Sequence, residues 1–209
     1  MTEAPHAPVM PAEILEGLAV VPGSWIVDGT FGAGGHCRLL LQAGANVLAI
    51  DQDPGAERYA RQLATERLPG ELRFMAGNFR DMEALAAAAG VQSARGVFLD
   101  LGVSSMQLDE GERGFAFRHD GPLDMRMGAE GESAADVVNG YAVDDLAAII
   151  YRYGEERHSR RVARRIVEAR AKAPITTTGR LAEVVASAYP PGPRREHPAR
   201  RPFQALRIH

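Results

Sequence analysis

A glycine-rich run at Asp28–His36 limits the fold of this chain more than any other feature. It reads Asp-Gly-Thr-Phe-Gly-Ala-Gly-Gly-His and follows the mostly apolar segment Ser24–Asp28. Glycine permits the tight turn between a buried strand and a helix, and it lets the backbone approach a ligand closely. The helix that follows, from about Gly35 to Gly44, presents free N–H groups at its N-terminus. The run therefore predicts a strand, a ligand-binding turn and a helix in succession.

Strand and helix signals alternate through the first hundred residues. Asp53 can cap a helix that has Pro54 in its first turn. The further predicted elements are strands at Asn46–Asp51, Glu71–Ala76 and Gly96–Leu101 and a helix at Met82–Ala89 that Gly90 ends. This alternation predicts an α/β fold in which helices cover both faces of a parallel sheet.

The pattern changes after the fourth predicted strand. Residues 106–132 are rich in glycine, aspartate and arginine and predict a long ordered loop, which is usually functional. The signals beyond it are helical: a capping box at Ser133 and Asp136, a helix Leu146–Arg152 capped by Asp144, a basic amphipathic helix Glu155–Lys172, a helix Thr178–Tyr189 and the start of another at Phe203–His209. Residues 133–201 are thus predicted to form a helical subdomain inserted after strand four.

Composition restricts the class of protein. At 45% hydrophobic residues the chain can bury a normal core. The N-terminus has neither the basic nor the apolar region of a signal peptide, and no apolar run approaches the roughly 18 residues of a membrane span. The single cysteine, Cys37, forms no internal disulfide and no cysteine zinc cluster. We therefore expect a cytoplasmic protein without a bound metal.

Charge is distributed unevenly along the chain. Residues 1–151 hold 10 Lys and Arg against 22 Asp and Glu, whereas residues 152–209 hold 14 against 5. A basic lobe on an acidic chain indicates a polyanionic partner for that lobe. A solvated basic helix face is the alternative interpretation.

Two acids flank the glycine-rich run in the predicted fold. Asp51 ends the second strand, where a carboxylate can accept hydrogen bonds from ribose hydroxyls, and this favours an adenosine-bearing cofactor. The dinucleotide pattern G-x-G-x-x-G would need a third glycine where this chain has Cys37. Asp28 directly before the turn would repel a pyrophosphate but attract a sulfonium cofactor with a free amino group. A methyltransferase is therefore favoured over a nicotinamide dehydrogenase, and a turn that binds nothing is the remaining alternative.

Motifs along nearly the whole chain carry a family resemblance. They are His6 with Pro8 and Val9, Asp28–His36, Asp100–Ser105, Gln107–Asp109, Arg113–Phe115, Asp120–Met127, Tyr153–Arg157, His197–Ala199 and Phe203–Ile208. The series closely resembles the bacterial 16S ribosomal RNA cytidine N4-methyltransferase family, known as RsmH or MraW. The segment Asp-Gly-Pro-Leu-Asp-Met-Arg-Met at Asp120–Met127 is the most specific of these motifs.

The resemblance implies a class I, Rossmann-like S-adenosylmethionine methyltransferase sheet with a helical insertion subdomain. Residues 1–105 would be the N-terminal part of the methyltransferase domain, 106–201 the loop and insertion, and 202–209 the start of the return to that domain. Such a sheet normally has seven strands, and the sequence predicts four, so we expect the C-terminal strands to be missing and strand four to be an unprotected edge. Poor solubility and lost activity of this chain follow as expectations.

The resemblance also implies the ligands and their contacts. The donor would be S-adenosylmethionine, and the acceptor N4 of one cytidine in the decoding region of 16S ribosomal RNA, within the small ribosomal subunit. Matching motif positions place the donor beside Gly34, Gly35, His36, Asp51, Phe79, Asp100 and Gln107. A helix-capping His36, a core Phe79 and a structural ion pair between Asp124 and Arg126 are alternatives to ligand contact.

Asp100, at the end of strand four, is the candidate catalytic residue. We expect it to accept a hydrogen bond from N4 and so orient a weak nucleophile toward the donor. The alternatives are a purely donor-binding or structural role. Many amino-methyltransferases have Asp/Asn-Pro-Pro-aromatic here, whereas this chain has Asp-Leu-Gly-Val.

The target base must leave its stack to react, and an arginine-rich helix is the predicted phosphate-contacting surface. Its arginines are Arg157, Arg160, Arg161, Arg164 and Arg165. Rival functions are an inactive RNA- or cofactor-binding fragment of such an enzyme and an NAD-dependent dehydrogenase.

Overall fold

The computed structural model describes residues 8–128, 130–193 and 195–209, so His6 of the first motif lies outside the described residues. The chain divides into two compact units, Met1–Ser104 with Met127–Ala129, and Ser105–Arg126 with Glu130–His209. No helix within the described ranges is long and apolar enough to cross a membrane.

The first unit alternates strands and helices. Its elements are α1 (Pro11–Gly17), β1 (Trp25–Asp28), α2 (Gly35–Gln42), β2 (Asn46–Asp51), α3 (Ala56–Ala64), β3 (Leu72–Ala76), α4 (Met82–Ala88) and β4 (Gly96–Phe98). The four strands form a parallel sheet in the order β3-β2-β1-β4. The predicted α/β fold with a parallel sheet is confirmed, and the strand order matches the first four positions of the Rossmann order 3-2-1-4-5-6, which are one three-stranded half and the first strand of the other.

The two faces of the sheet bury alternate residues of each strand. Val47 and Ala49 of β2 belong to the core that includes Leu40 of α2 and Leu63 of α3. Leu48 and Ile50 of the same strand belong to the opposite core, against which α4 packs. Because successive side chains of a strand point to opposite faces, a nearly continuous apolar run is what a sheet covered on both sides requires.

β4 is shorter than the predicted strand Gly96–Leu101. Its last ladder contact comes from Phe98, whose carbonyl accepts a hydrogen bond from the Gly29 N–H at 3.0 Å. The next amide available, that of Asp100, donates to the Thr30 hydroxyl at 2.7 Å. The prediction was wrong beyond Phe98, because a side chain of the glycine-rich turn takes over the backbone donor.

The second unit is helical. Its elements are α5 (Ser105–Asp109), α6 (Ala134–Gly140), α7 (Val143–Gly154), α8 (Ser159–Arg170), α9 (Thr178–Ala186) and α10 (Arg200–Ile208). α7 packs against both α8 and α10. The domain boundaries predicted from sequence stay predictions, including the return of residues 202–209 to the methyltransferase domain.

Three local predictions in this unit can be compared with the structure. The capping box at Ser133 and Asp136 is confirmed. Asp144 is not a cap: it lies in the first turn of α7, which begins after Ala142. α8 starts later than the predicted Glu155, because Glu155 has a φ of 52° and the Glu156 carboxylate accepts the His158 N–H at 2.7 Å.

The predicted long loop at 106–132 is also partly helical. It contains most of α5 and a 3-10 turn at Gly111–Arg113. Short helices of this kind leave only a weak hydrophobic pattern in the sequence, because each buries few side chains.

Candidate donor site at the carboxyl edge of the sheet

The glycine-rich turn is tied to the end of β2. The Asp51 carboxylate accepts the Gly32 N–H at 2.7 Å through Oδ2 and the Asp53 N–H at 2.8 Å through Oδ1. Each carboxylate oxygen has further lone pairs, so Asp51 can still accept hydrogen bonds from a ligand. Desolvation by burial raises the pKa of Asp51, and the N–H groups of Asp53 and Gly32 act in the opposite direction.

The turn requires glycine at defined positions. Gly32 has a φ of 56° and Gly34 a φ of 79°, which is the left-handed region that disfavours other residues. A Cβ on Gly34 would lie 2.8 Å from the Phe31 ring. Gly34 is also the N-cap of α2 and offers no capping side chain, so the first N–H groups of α2 face the turn without a side-chain acceptor of their own.

Asp28 is a buried acid beneath this turn. Its side chain is 1% exposed, and Oδ1 accepts the Thr30 N–H at 3.1 Å. Among the described residues, Oδ2 has no hydrogen-bond partner. The pKa of Asp28 is raised to about 7, chiefly by desolvation and to a smaller extent by the nearby Asp51 and Asp100 carboxylates, while the Thr30 N–H acts in the opposite direction.

Asp100 is positioned next to the same turn. Its backbone N–H donates to Thr30, and its residue is exposed at the carboxyl edge of the sheet. Three carboxylates therefore share one edge, and their mutual repulsion makes it a site of negative potential. Such a site favours a cationic ligand and disfavours a pyrophosphate.

Phe79 lies above the start of the turn. Its Cβ would be 3.0 Å from a Cβ added to Gly29, and the side chain is half-buried. It begins a 3-10 turn, Phe79–Asp81, that the Asn78 side chain caps. Asn78 also donates to the Gln52 side chain at 2.8 Å, which joins the residues that follow β2 and β3.

Sequence reasoning missed Thr30, Gln52 and Asn78. The only signal available was position, since each lies just after a strand at the carboxyl edge of the sheet. Their contacts depend on the pairing of strands, which local sequence does not specify.

His36 has a contact that the sequence did not indicate. Its Nε2 lies 2.8 Å from the Val9 carbonyl oxygen, and its ring packs at 4.7 Å from that of Phe98. Nδ1 is therefore the ring nitrogen from which a ligand contact would come. Gly35 begins α2 directly after Gly34. The donor contacts assigned to these residues stay predictions.

The remaining predicted residues belong to the second unit. Gln107 is on α5, where its side chain is buried, and its donor contact stays a prediction. The arginines predicted to contact phosphate are all exposed: Arg157, Arg160, Arg161, Arg164 and Arg165.

The most specific motif, Asp120–Met127, has a structural part within the second unit. Arg126 and Asp124 form a two-point ion pair at 2.9 and 2.6 Å, and this bonding lowers the pKa of Asp124. Asp120 accepts the Gly179 N–H at the start of α9. The ion pair proposed as an alternative to substrate contact is thus formed.

A parallel sheet with a glycine turn after β1, an acid ending β2 and a negative carboxyl edge defines the class of this protein as a Rossmann-like methyltransferase fold. The sequence model of the MraW methylase family matches residues 3–209. The chain belongs to this family.

Curated relatives agree with this assignment. The chain is similar to proteins named ribosomal RNA small subunit methyltransferase H. That of Deinococcus deserti is 58% identical over 98% of this chain and 67% of the relative, and that of Deinococcus radiodurans is 58% identical over 98% and 64%. That of Methylorubrum populi is 55% identical over 98% and 59%. The chain thus spans about 59–67% of the length of these relatives.

Proposed function

We propose that this chain carries the donor site and an RNA-contacting surface of a cytoplasmic S-adenosylmethionine-dependent enzyme that methylates N4 of a cytidine in the decoding region of 16S ribosomal RNA. The names of the relatives support a small-subunit ribosomal RNA as the substrate. The observation that carries the donor assignment is the cluster of Asp28, Asp51 and Asp100 around the glycine turn.

The residues present fit this donor. A buried carboxylate whose Oδ2 lacks a partner among the described residues suits a neighbour with positive charge, and the donor has a sulfonium and an ammonium group. Asp51 has lone pairs left for ribose hydroxyls, while Gly34 and Gly35 let the backbone approach. Phe79 supplies an apolar ring for the adenine, and His36 and Gln107 are further contacts by motif position.

The bound donor supplies an electrophilic methyl group, so the chain must position the nucleophile. Asp100 is exposed, and the hydrogen bond from its backbone N–H to Thr30 holds its backbone next to the glycine turn, so its side chain is available to a substrate. We assign it to accept a hydrogen bond from the N4 amino group. This localises the nitrogen lone pair and holds it in line for transfer.

An NAD-dependent dehydrogenase is the less favoured function. Asp28 and Asp51 would face two phosphate charges in such a site, and Cys37 replaces the third glycine of the dinucleotide pattern. Calorimetry with S-adenosylmethionine and with NAD separates the two functions. We expect binding of the first ligand only, and binding of NAD alone would refute the proposal.

Asp100→Ala and Asp100→Asn test the orienting role. Donor affinity is measured by calorimetry, and methyl transfer to small ribosomal subunits is measured with labelled donor. We expect transfer to fall by about 100-fold or more in both variants while donor affinity changes by less than about tenfold, in line with typical losses for positioned proton acceptors. Glu83→Gln, at an exposed acid of α4, is the control.

Weakened donor binding with an unchanged transfer rate at saturating donor would contradict the role of Asp100. Donor binding without any transfer by the parent chain would instead favour the non-catalytic fragment.

A further inference from the structure

A groove on the second unit lies outside the donor site. It has a volume of about 660 Å³, within the range of pockets that bind small ligands. We call it the α7–α8 groove, and it is lined by Asp144, Ala147, Ala148, Tyr151, Arg157, His158, Ser159, Arg160, Arg161 and Arg164.

Helical spacing explains why these residues share one surface. Asp144, Ala148 and Tyr151 are separated by four and three positions on α7, so they lie on one face. On α8, Arg164 lies four positions after Arg160 and three after Arg161, so these arginines lie near one another on the helix surface. Val162, Ala163 and Ile166 of the same helix turn into the core.

The arginines of the groove differ from others on this unit. Arg165 on the same helix pairs with Glu168 at 3.0 Å, and Arg180 pairs with Glu183 at 3.0 Å. Within the ranges that the structure describes, Arg157, Arg160 and Arg164 form no ion pair. Their guanidinium groups retain their donors for a ligand, and Asp144 is the single carboxylate of the lining.

Tyr151 adds an aromatic surface to this positive groove. It is 64% exposed, although α7 buries its apolar residues Leu146, Ile149 and Ile150 on the other side. Beside it, the Arg161 guanidinium lies 5.3 Å above the Tyr189 ring, so Arg161 is already held by an aromatic contact. An exposed ring among unpaired arginines is the combination that binds single-stranded nucleic acid.

We propose that the α7–α8 groove binds a single-stranded RNA segment, with one base stacked on Tyr151 and neighbouring phosphates at Arg157, Arg160 and Arg164. This deepens the proposed function and rests on it, since the segment would be RNA other than the reacting cytidine. Sequence-tolerant stacking would hold the substrate while the target base reacts elsewhere. An acidic peptide would satisfy the arginines, but its carboxylate side chains would not stack on the Tyr151 ring as a base does.

Fluorescence anisotropy tests the proposal. It measures the binding of a fluorescein-labelled oligouridine of about 12 nucleotides at several salt concentrations. The variants are Tyr151→Ala, Tyr151→Phe, and the pair Arg160→Gln with Arg164→Gln. Arg180→Gln is the matched control, because this exposed arginine of α9 lies outside the groove lining and is paired with Glu183. All of these side chains are exposed, and circular dichroism checks that each variant is folded.

We expect Tyr151→Ala to weaken binding roughly 5- to 100-fold without changing the salt dependence, and Tyr151→Phe to bind like the parent. The double arginine variant should bind more weakly and lower the slope of log affinity against log salt by about 1.4, since each phosphate contact on a single strand contributes about 0.7. Arg180→Gln should match the parent.

Parent-like binding by Tyr151→Ala and by the double arginine variant would overturn the proposal. Polyglutamate that competes as well as oligouridine would overturn it in favour of an acidic protein partner. Calorimetry with S-adenosylmethionine on the same variants separates failure of the groove proposal from failure of the proposed function. Loss of RNA binding at the groove with intact donor binding supports the groove, whereas a parent that fails to bind the donor refutes the proposed function.

Discussion

Asp28 is a buried side chain that can ionise, so its contribution to stability depends on pH. Its folded-state pKa of about 7 exceeds the ordinary value of 3.8, so the folded protein holds this proton over a pH range in which the unfolded chain has lost it. The contribution of Asp28 to stability is therefore full below about pH 4, and it is lost as pH rises toward 7. The folded protein is therefore less stable at neutral pH than it would be without this buried acid. Such a cost is expected when an ionised carboxylate serves to bind a ligand.

Asp28→Asn should remove this pH dependence. Relative to the variant, the parent should lose about 2 to 3 kcal/mol of unfolding free energy between pH 5 and pH 8, because one pKa unit corresponds to about 1.4 kcal/mol. The buried amide adds its own cost, but that cost does not vary with pH. Urea unfolding at several pH values measures the difference.

Asp81→Asn, at an exposed acid of the first unit, is the control and should leave the profile of the parent unchanged. Parallel profiles for the parent and Asp28→Asn would show that Asp28 titrates normally.

At the residue scale, the sequence predicts the acids better than their partners. Asp28 and Asp51 end apolar runs, so the position of each at the carboxyl edge of a parallel sheet follows from local pattern. The bond between Gln52 and Asn78 depends on the register of β2 against β3, and the contact of His36 with Val9 depends on the path of the N-terminal segment. Neither is encoded in a local window.

At the element scale, the turn between β1 and α2 depends on Gly34. The backbone of Gly34 is left-handed, with a φ of 79°, which disfavours any residue with a Cβ. An added Cβ would also approach the Phe31 ring, which is buried. Gly34→Ala should destabilise the protein by about 2 to 4 kcal/mol, from backbone strain and overpacking together. Urea unfolding measures this loss.

Gly17→Ala provides the matched control. Gly17 ends α1, and an added Cβ would meet nothing within 4 Å. This substitution should be neutral or should stabilise by up to about 1 kcal/mol. Adding Phe31→Leu to Gly34→Ala should recover part of the loss, and equal stability of Gly34→Ala and the parent would contradict the strain assigned to this turn.

The elements whose bounds the sequence predicts best are the buried ones. β2 matches its prediction at both ends because its apolar run is continuous and covered on two faces. The predicted end of β4 and the predicted start of α8 were wrong because hydrogen bonds to side chains determine them. The Thr30 hydroxyl accepts a backbone N–H after β4, and the Glu156 carboxylate accepts one before α8. Tertiary hydrogen bonds of this kind override local propensity.

At the scale of the whole molecule, charge separates between an acidic part of the chain, residues 1–151, and a basic part, residues 152–209. The first unit gathers carboxylates around the turn that would bind a cationic donor. The second unit exposes arginines suited to a polyanion. The change from acidic to basic sequence falls within α7, so the basic part of the chain lies in the second unit, whereas the acidic part covers the first unit and the beginning of the second.

The edge of the sheet formed by β4 exposes apolar side chains, and we expect it to promote self-association of the chain. Val97 is 49% exposed and Leu101 69% exposed, next to a strand that has one partner among the described residues. An apolar strand edge of this kind favours self-association. The side chain of Leu99 packs against Gly29 of the glycine turn, because its Cδ2 would lie 2.5 Å from a Cβ added there. Leu99 is therefore left unchanged in the variant that follows.

Val97→Thr with Leu101→Ser should reduce self-association while changing the unfolding free energy by only about 1 kcal/mol, because both side chains are largely in water. Sedimentation velocity over a series of protein concentrations measures the fraction of monomer. Val21→Thr, an apolar residue 45% exposed outside β4, is the control and should leave that fraction unchanged. An equal shift in both variants would mean that general surface hydrophobicity, and not the β4 edge, drives association.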